Sequence, residues 1–127
     1  MKIVLVDDDP LVLSTLSGLF HRKGHTVLTY NSPLECPIYK SPHGSCYPTG
    51  MCPDIIISDI DMPDVNGLEF IESLFKKGCK CKHIAMLSGI GISDADMKRM
   101  AEYEVRYFTK PLDYVEFEMW LMLRDRN

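Results

Sequence analysis

Long apolar runs are missing from this sequence. No stretch approaches the roughly 20 residues that a membrane-spanning helix needs. The apolar N-terminal run from Ile3 to Val6 is too short for a signal peptide and leads directly into three aspartates. We therefore expect a cytoplasmic protein with no membrane partner.

Positive charge is also in deficit. The chain carries 14 lysines and arginines against 18 aspartates and glutamates, and its net charge is −4. Proteins that bind nucleic acids directly usually present a basic surface to the phosphate backbone. The charge balance therefore argues against direct nucleic-acid binding by this chain.

The two marks of a disulfide scaffold, a secretion signal and an even number of cysteines, are both missing. The five cysteines are Cys36, Cys46, Cys52, Cys79 and Cys81. What is present is an ordinary globular composition, 46% hydrophobic and 25% charged, in 127 residues. That length and composition predict one domain spanning residues 1–127.

One stretch near the middle of the chain organises the rest. The β-branched run from Ile55 to Ile57 leads through Ser58 to Asp59, and Pro63 and Gly67 punctuate the loop that follows. A short apolar run bounded in this way predicts a buried strand of a parallel sheet, with Asp59 at its carboxyl end. In such sheets ligands bind beyond the carboxyl ends of the strands.

An aspartate after a strand more often caps a turn than performs chemistry. A second strand, Ile3 to Val6, however, also ends in carboxylates, those of Asp7, Asp8 and Asp9. Two carboxylates about 4 Å apart repel by roughly 4 kcal/mol at an effective dielectric constant near 20. A bound Mg²⁺ ion, which prefers oxygen ligands, would offset that repulsion. The two acidic strand ends therefore predict a magnesium site.

Strand and helix patterns alternate along the chain. Strands are predicted at residues 2–6, 25–30, 54–58, 83–89 and 105–109, and helices at 10–23, 67–77, 93–102 and 112–124. The helix at 93–102 is predicted to be a surface helix with a narrow apolar stripe of Met97 and Met100 or Ala101, and the last helix carries Val115, Phe117, Trp120, Leu121 and Leu123. This alternation predicts an α/β fold with a doubly wound, five-stranded parallel sheet.

The second crossover segment, residues 31–52, departs from this pattern. It contains Pro33, Pro37, Pro42, Gly44, Pro48 and Gly50. Proline removes backbone donors and clashes with the preceding helical turn. We therefore expect a short helical turn at residues 33–36 and a long Pro/Gly/Cys-rich loop in place of a full second helix.

Four predicted strand ends carry polar side chains that would meet at one edge of the sheet. They are Asp7 with Asp8, then Asp59, Ser88 and Lys110. Taken singly, the serine and the lysine would be ordinary surface residues. Together with the carboxylates they suit phosphoryl transfer, in which a carboxylate is the nucleophile, a metal ion and a lysine neutralise phosphoryl oxygens, and a hydroxyl donates a hydrogen bond.

The same residues resemble the chemotaxis-type receiver domain of two-component response regulators. The shared features are the acidic pair after a strand, Asp59 followed by Met62-Pro63 and Gly67, the Ser88-Gly89 pair, and Lys110-Pro111. The resemblance spans nearly the whole chain. It implies a flavodoxin-like sheet of order 2-1-3-4-5, a Mg²⁺ cofactor, a sensor histidine kinase as phosphoryl donor, and a downstream protein partner.

The resemblance also implies roles for single residues. Asp59 corresponds to the phosphoacceptor, Lys110 to the family's lysine, and Ser88 and Tyr107 to its switch residues. The peptide bond between Lys110 and Pro111 is expected to be cis.

The implied metal ligands lie on the two acidic segments. Asp8, Asp59 and the backbone carbonyl of Asp61 would bind Mg²⁺ directly, whereas Asp7 would act through water. One departure from the family pattern lies after the fourth helix, where Glu102, Tyr103 and Glu104 replace the usual glycine. We therefore expect an altered junction at the end of that helix.

The leading hypothesis is a phosphorylation-controlled signalling switch. Asp59 would accept a phosphoryl group, and the surface made by the fourth helix, fifth strand and fifth helix would change. The chain would be an enzyme only in catalysing its own phosphorylation and dephosphorylation. One alternative is a small Mg²⁺-dependent phosphatase with an aspartyl nucleophile, for which residues 31–52 would supply the lid. The other is a metal- or redox-sensing interaction module in which the cysteines and His43 carry the signal.

The resemblance implies no role for the cysteines. Each is compatible with packing in the core. Cys52 and the pair Cys79 and Cys81, however, precede neighbouring parallel strands, so we expect them at the edge of the sheet opposite the acidic cluster. Cys36 and Cys46 would fold back over the same edge. A second metal site or a disulfide cluster is therefore the alternative to simple packing.

Overall fold

A computed structural model describes residues 1–40, 52–89 and 91–125 of the chain. Its five strands are β1 (Lys2–Val6), β2 (Thr26–Tyr30), β3 (Ile55–Asp59), β4 (His83–Ser88) and β5 (Arg106–Thr109). They form one parallel sheet in the order β2-β1-β3-β4-β5. The predicted fold class and strand order are therefore confirmed, and all five carboxyl ends lie at the same edge.

Helices connect the strands. They are α1 (Pro10–Arg22), α2 (Pro37–Lys40), α3 (Gly67–Lys76), α4 (Asp94–Glu102) and α5 (Tyr114–Asp125), with a 3₁₀ turn at Pro33–Glu35. The predicted strands and the four long helices end within two residues of the observed bounds. The turn predicted at residues 33–36 is present as the 3₁₀ turn and is followed by the four residues of α2, whereas most of the predicted loop lies outside the described residues. No helix in the described ranges is long and apolar enough to cross a membrane.

Local capping explains where the long helices begin. The Asp9 carboxylate accepts a hydrogen bond from the Leu11 backbone N–H over 2.9 Å, and Pro10 occupies the first position of α1. Ser93 caps α4 by accepting from the Asp96 N–H over 3.1 Å. These side chains satisfy N–H groups that have no partner inside the helix.

The helix ends show one unusual backbone conformation. Gly24 and Gly78 adopt φ angles of 85° and 86° after α1 and α3, as glycine readily does. Glu104 adopts a φ of 56° after α4, although it has a side chain. The altered junction predicted here is therefore a left-handed turn made without glycine.

The core forms two layers, one on each face of the sheet. Ile3 and Leu5 of β1 pack in a layer with α1 and α5 residues that include Phe20 and Phe117. The alternate residues Val4 and Val6 pack in the other layer with α3 residues, which include Leu68, Phe70 and Ile71. Both faces of the central strands are thus covered, as a buried parallel sheet requires.

Three apolar residues of α4 and α5 are exposed. Met97 is 49% exposed, Val115 69% and Leu123 53%. Met100, Phe117, Trp120 and Leu121 are buried, so the three exposed residues extend the apolar surface beyond the buried stripe. Of the narrow stripe predicted on α4, Met100 is the buried member.

Candidate functional site

The acidic residues of β1 and β3 come together at the carboxyl edge of the sheet. Val6 pairs with Ser58 in the parallel register, so Asp7 and Asp59 follow side by side. Carboxylate oxygens of Asp7, Asp8 and Asp59 lie within 4.8 Å of one another. Asp7 and Asp59 are buried, whereas Asp8 is exposed to solvent. An oxygen-only donor set of this charge, open on one side, fits a hard divalent cation such as Mg²⁺.

Lys110 is the cation of the site. Its Nζ lies 2.9 Å from Oδ2 of Asp7 and 3.4 Å from Oδ2 of Asp59. The backbone is held there by the Lys110 N–H, which donates to the Ser88 carbonyl over 2.8 Å. The bond between Lys110 and Pro111 is cis, as expected. Burial lowers the pKa of Lys110, but its contacts with Asp7 and Asp59 outweigh burial and raise that pKa. The ammonium group is therefore charged at neutral pH.

Asp59 ionises less readily than an ordinary aspartate. Burial is the largest cause, the neighbouring charge of Asp7 adds to it, and together they raise the pKa of Asp59 to about 6. Lys110 and the hydrogen bond from the Asp61 N–H, over 3.3 Å, act in the opposite direction. A further cation at this position would favour the charged form again.

Ser88 lies at the end of β4, beside the cluster. Its hydroxyl donates a hydrogen bond to Oδ2 of Asp61 over 2.8 Å. Asp61 thus contacts two site residues at once, Ser88 through its carboxylate and Asp59 through its N–H. The sequence pointed to Asp61 only for its backbone carbonyl. The carboxylate of Asp61 as the partner of Ser88 was missed, because the two residues are 27 positions apart.

A protein-family model matches most of the chain. A sequence model of the response regulator receiver domain matches residues 3–119. The chain belongs to this family.

Several known receiver domains and response regulators are similar to this chain. It is 27% identical over 113 residues to the two-component response regulator ORR22 of rice, covering 88% of this chain and 15% of that protein. It is 26% identical over 129 residues to the two-component response regulator ARR18 of Arabidopsis thaliana, covering 100% of this chain and 19% of that protein. The receiver domain thus matches a small part of these longer regulators.

Solved structures show the same fold. A two-component response regulator from Clostridium difficile superposes with a TM-score of 0.79 at 18% identity, covering 100% of this chain and 97% of that one. The Vibrio cholerae chemotaxis protein CheY4 superposes with a TM-score of 0.73 at 22% identity, covering 95% of each chain. At these identities the likeness concerns the fold.

Gly67 of the receiver domain packs directly against the predicted phosphoacceptor. A Cβ atom at this position would overlap the Asp59 carbonyl oxygen and lie 2.8 Å from the Met86 methyl group. The Gly67 N–H also donates to the Ile60 carbonyl over 2.9 Å. The sequence predicted this glycine only as the first residue of a helix. The structure shows that a residue with a side chain would not fit here.

Tyr107, the predicted switch aromatic, lies in β5 opposite Met86 of β4. It is half-buried and packs against the core layer on the α3 side of the sheet. This position is on β5, three residues before Lys110.

The cysteines of the receiver domain are distributed over one core layer. Cys36, Cys79 and Cys81 are buried there, and Cys52 is partly buried against the same layer. No disulfide joins the described cysteines. Within the described ranges, the group of three that could hold a metal ion is the acidic one. The possible second metal or disulfide cluster of the five cysteines stays a prediction. Cys46 and His43 lie outside the described residues.

The four described cysteines also differ in which end of the strands they approach. Cys36 is close enough to Tyr30, the last residue of β2, to raise the pKa of that phenol further once burial has raised it. Cys52, by contrast, accepts a hydrogen bond from the N–H of Lys80, before β4 begins. The position predicted for Cys36, folded back over the same edge as Cys52, stays a prediction.

Proposed function

We propose that this receiver domain accepts a phosphoryl group on Asp59 from the phosphohistidine of a sensor histidine kinase. The observation that carries the proposal is Lys110, whose Nζ lies 2.9 Å from Asp7 and 3.4 Å from Asp59 at the edge of a three-carboxylate cluster. A charged lysine between two buried carboxylates is poised to neutralise the oxygens of a group attached to Asp59.

The transfer is a displacement at phosphorus. An ionised Asp59 oxygen forms the new P–O bond, and the P–N bond to the kinase histidine breaks with its electron pair going to the ring nitrogen. Above pH 6 most Asp59 carboxylates are ionised even without added cation, because their pKa is about 6. The ammonium group of Lys110 then neutralises negative charge on one phosphoryl oxygen. Receiver domains are signalling domains, and we expect this one to catalyse only its own phosphorylation and dephosphorylation.

Mg²⁺ supplies charge neutralisation at the phosphoryl oxygens when it is bound. Asp8, Asp59 and the Asp61 carbonyl would hold the ion directly, and Asp7 would hold it through water. The cluster supports this assignment, since the carboxylates of Asp7, Asp8 and Asp59 converge within 4.8 Å. Of the three aspartates, Asp8 is exposed to solvent, so an ion can reach the cluster from that side.

The switch would begin at Ser88. Its hydroxyl is bonded to Asp61 over 2.8 Å, and a phosphoryl group on Asp59 offers it a stronger acceptor. When Ser88 turns to that acceptor, the loop after β4 moves with it. We propose that Tyr107 then turns inward and that the surface of α4, β5 and α5 is read by a downstream protein.

Acetyl phosphate, a small phosphodonor, tests the proposal. The protein with Mg²⁺ should gain the mass of one phosphoryl group, and chelation of the metal should prevent the gain. Asp59→Asn should abolish it, whereas Asp64→Asn, which changes an exposed aspartate of the following loop, should leave it intact. Equal labelling of the Asp59→Asn variant would reject Asp59 as the acceptor. Continuous release of phosphate from added monoesters would instead support the phosphatase alternative.

A further inference from the structure

Three cysteines lie together at the edge of the sheet opposite the acidic cluster. Cys52 precedes β3, and Cys79 and Cys81 precede β4. The Lys80 N–H donates to the Cys52 sulfur over 3.1 Å, so that sulfur lies beside the peptide group that joins Cys79 to Lys80. All three side chains pack on the same side of the sheet.

Cys81 also reaches the start of β3. Its sulfur lies 3.6 Å from the carbonyl oxygen of Asp54, two residues after Cys52. Cys81 directly follows Lys80, whose N–H is bonded to the Cys52 sulfur. The two cysteines therefore lie on neighbouring chain segments at the same edge of the sheet.

Cys52 is the accessible member of the group. It is half-buried and lines a cavity of about 260 Å³ together with three cations, Lys80, Lys82 and Arg124, and two carboxylates, those of Asp54 and Asp125. In the described part of the chain, none of these three cations forms a salt bridge with a carboxylate. Cations beside an accessible thiol favour its thiolate and attract anionic reagents. Cys52 is thus the residue that an oxidant would meet first.

Cys81 is the buried member. It is 5% exposed, and its sulfur lies 3.4 Å from the His83 carbonyl oxygen and 3.6 Å from that of Asp54. Burial raises the pKa of Cys81 to about 12, and the neighbouring Cys52 contributes to the increase. Cys81 is therefore a poor first nucleophile, but it is close to the more accessible sulfur of Cys52.

We propose that Cys52 and Cys81 are a site of reversible oxidation, at which a small-molecule disulfide converts the two thiols into one intramolecular disulfide. The Cys52 thiolate attacks a sulfur of the reagent, forming a mixed disulfide and releasing one thiolate. Cys81 gives up its proton to solvent and attacks the Cys52 sulfur, and the second thiolate of the reagent leaves. The reagent has then gained two electrons and the protein has lost two.

The bond would join the chain just before β3 to the chain just before β4. Cys52 is where the Pro/Gly/Cys-rich crossover reaches the sheet, so oxidation would tie that crossover covalently to β4. In a reducing compartment such bonds are usually transient and regulatory. The site is at the opposite edge from Asp59, so it adds a second input without occupying the acidic cluster.

Oxidised glutathione and mass spectrometry test the proposal. The reduced, folded protein is incubated with the disulfide, remaining thiols are blocked, and the intact mass and the non-reduced peptides are measured. We expect a mass about 2 Da lower, the two hydrogens lost, and a peptide pair joined through Cys52 and Cys81. Cys81→Ala should stop at glutathione on Cys52, and Cys52→Ser should yield neither product. Cys36→Ala, which changes another buried cysteine, should form the bond normally.

The unmodified chain is sufficient to overturn the proposal, so the test does not depend on the folding of the variants. A stable mixed disulfide on Cys52 without an internal bond would reject Cys81 as its partner. A peptide linked from Cys52 to Cys79 or to Cys46 would do the same. In urea, where the folded geometry is lost, preferential pairing of Cys52 with Cys81 should disappear.

Discussion

The Ser88 hydroxyl donates a 2.8 Å hydrogen bond to the Asp61 carboxylate. Asp61 lies in the loop after β3, and its N–H contacts Asp59 over 3.3 Å. Before any phosphoryl group arrives, the proposed switch hydroxyl is therefore held by a neighbour of the proposed acceptor. The proposed activation requires the Ser88 hydroxyl to break its hydrogen bond with Asp61. The free energy of breaking that bond therefore shifts the equilibrium between the unphosphorylated and phosphorylated conformations.

Asp61→Ala should make the phosphorylated conformation easier to reach. The variant loses the bond that Ser88 must break, a net contribution of about 1 kcal/mol, so a phosphoryl mimic should bind about fivefold more tightly. Asp61→Asn is the matched control, because the amide oxygen still accepts from Ser88 while the negative charge is gone. Beryllofluoride titration in Mg²⁺ measures both variants. If the two variants tighten binding equally, charge rather than the hydrogen bond is responsible.

The raised pKa of Asp59 predicts a pH-dependent stability. Its folded-state value of about 6 exceeds the ordinary 3.8, so the folded protein binds the extra proton between these values. Ionising Asp59 thus destabilises the fold as pH rises from 3.8 through 6, by up to about 3 kcal/mol above that window. Without divalent cations, Asp59→Asn should be more stable than the native protein at pH 7.5, and the difference should vanish near pH 4.

Urea unfolding at both pH values measures this difference. Saturating Mg²⁺ should stabilise the native protein and leave the Asp59→Asn variant less affected, because the ion binds the charged cluster. A difference between the two proteins that is the same at both pH values would show that Asp59 ionises normally.

Gly67→Ala should destabilise the protein by about 1 to 3 kcal/mol, the usual cost of overpacking. The new methyl group would overlap the Asp59 carbonyl oxygen, and backbone cannot move aside as a flexible side chain can. Gly91→Ala is the control, since no atom lies within 4 Å of a Cβ placed there. Denaturant unfolding compares the two. Equal stability of both variants would contradict the close packing of α3 on β3.

Glu104→Gly should stabilise the protein by about 1 kcal/mol. The residue sits at a φ of 56°, a region that costs a side-chain-bearing residue roughly 1 to 2 kcal/mol and glycine almost nothing. Ala101→Gly, inside α4, should instead destabilise by about 1 kcal/mol. Thermal unfolding would distinguish the two, and a lower midpoint for Glu104→Gly would contradict the strain.

The fold could be predicted because its signals are local. Apolar runs such as Ile55 to Ile57, and caps such as Asp9 and Ser93, act within a few residues of the chain. Prolines shortened the second crossover helix for an equally local reason, the loss of a donor and a clash with the preceding turn. The acidic strand ends followed from topology, since parallel strands bring their carboxyl ends to one edge.

Tertiary structure alone decided which of these side chains touch. The contact of Lys110 with Asp7 spans 103 positions, and that of Ser88 with Asp61 spans 27, so neither has a local signature. The same holds for burial, because Met97 has the periodicity of a packed residue yet is 49% exposed. Hydrophobic periodicity indicates which face of a helix is apolar, whereas the packing of neighbouring elements determines how much of that face is covered.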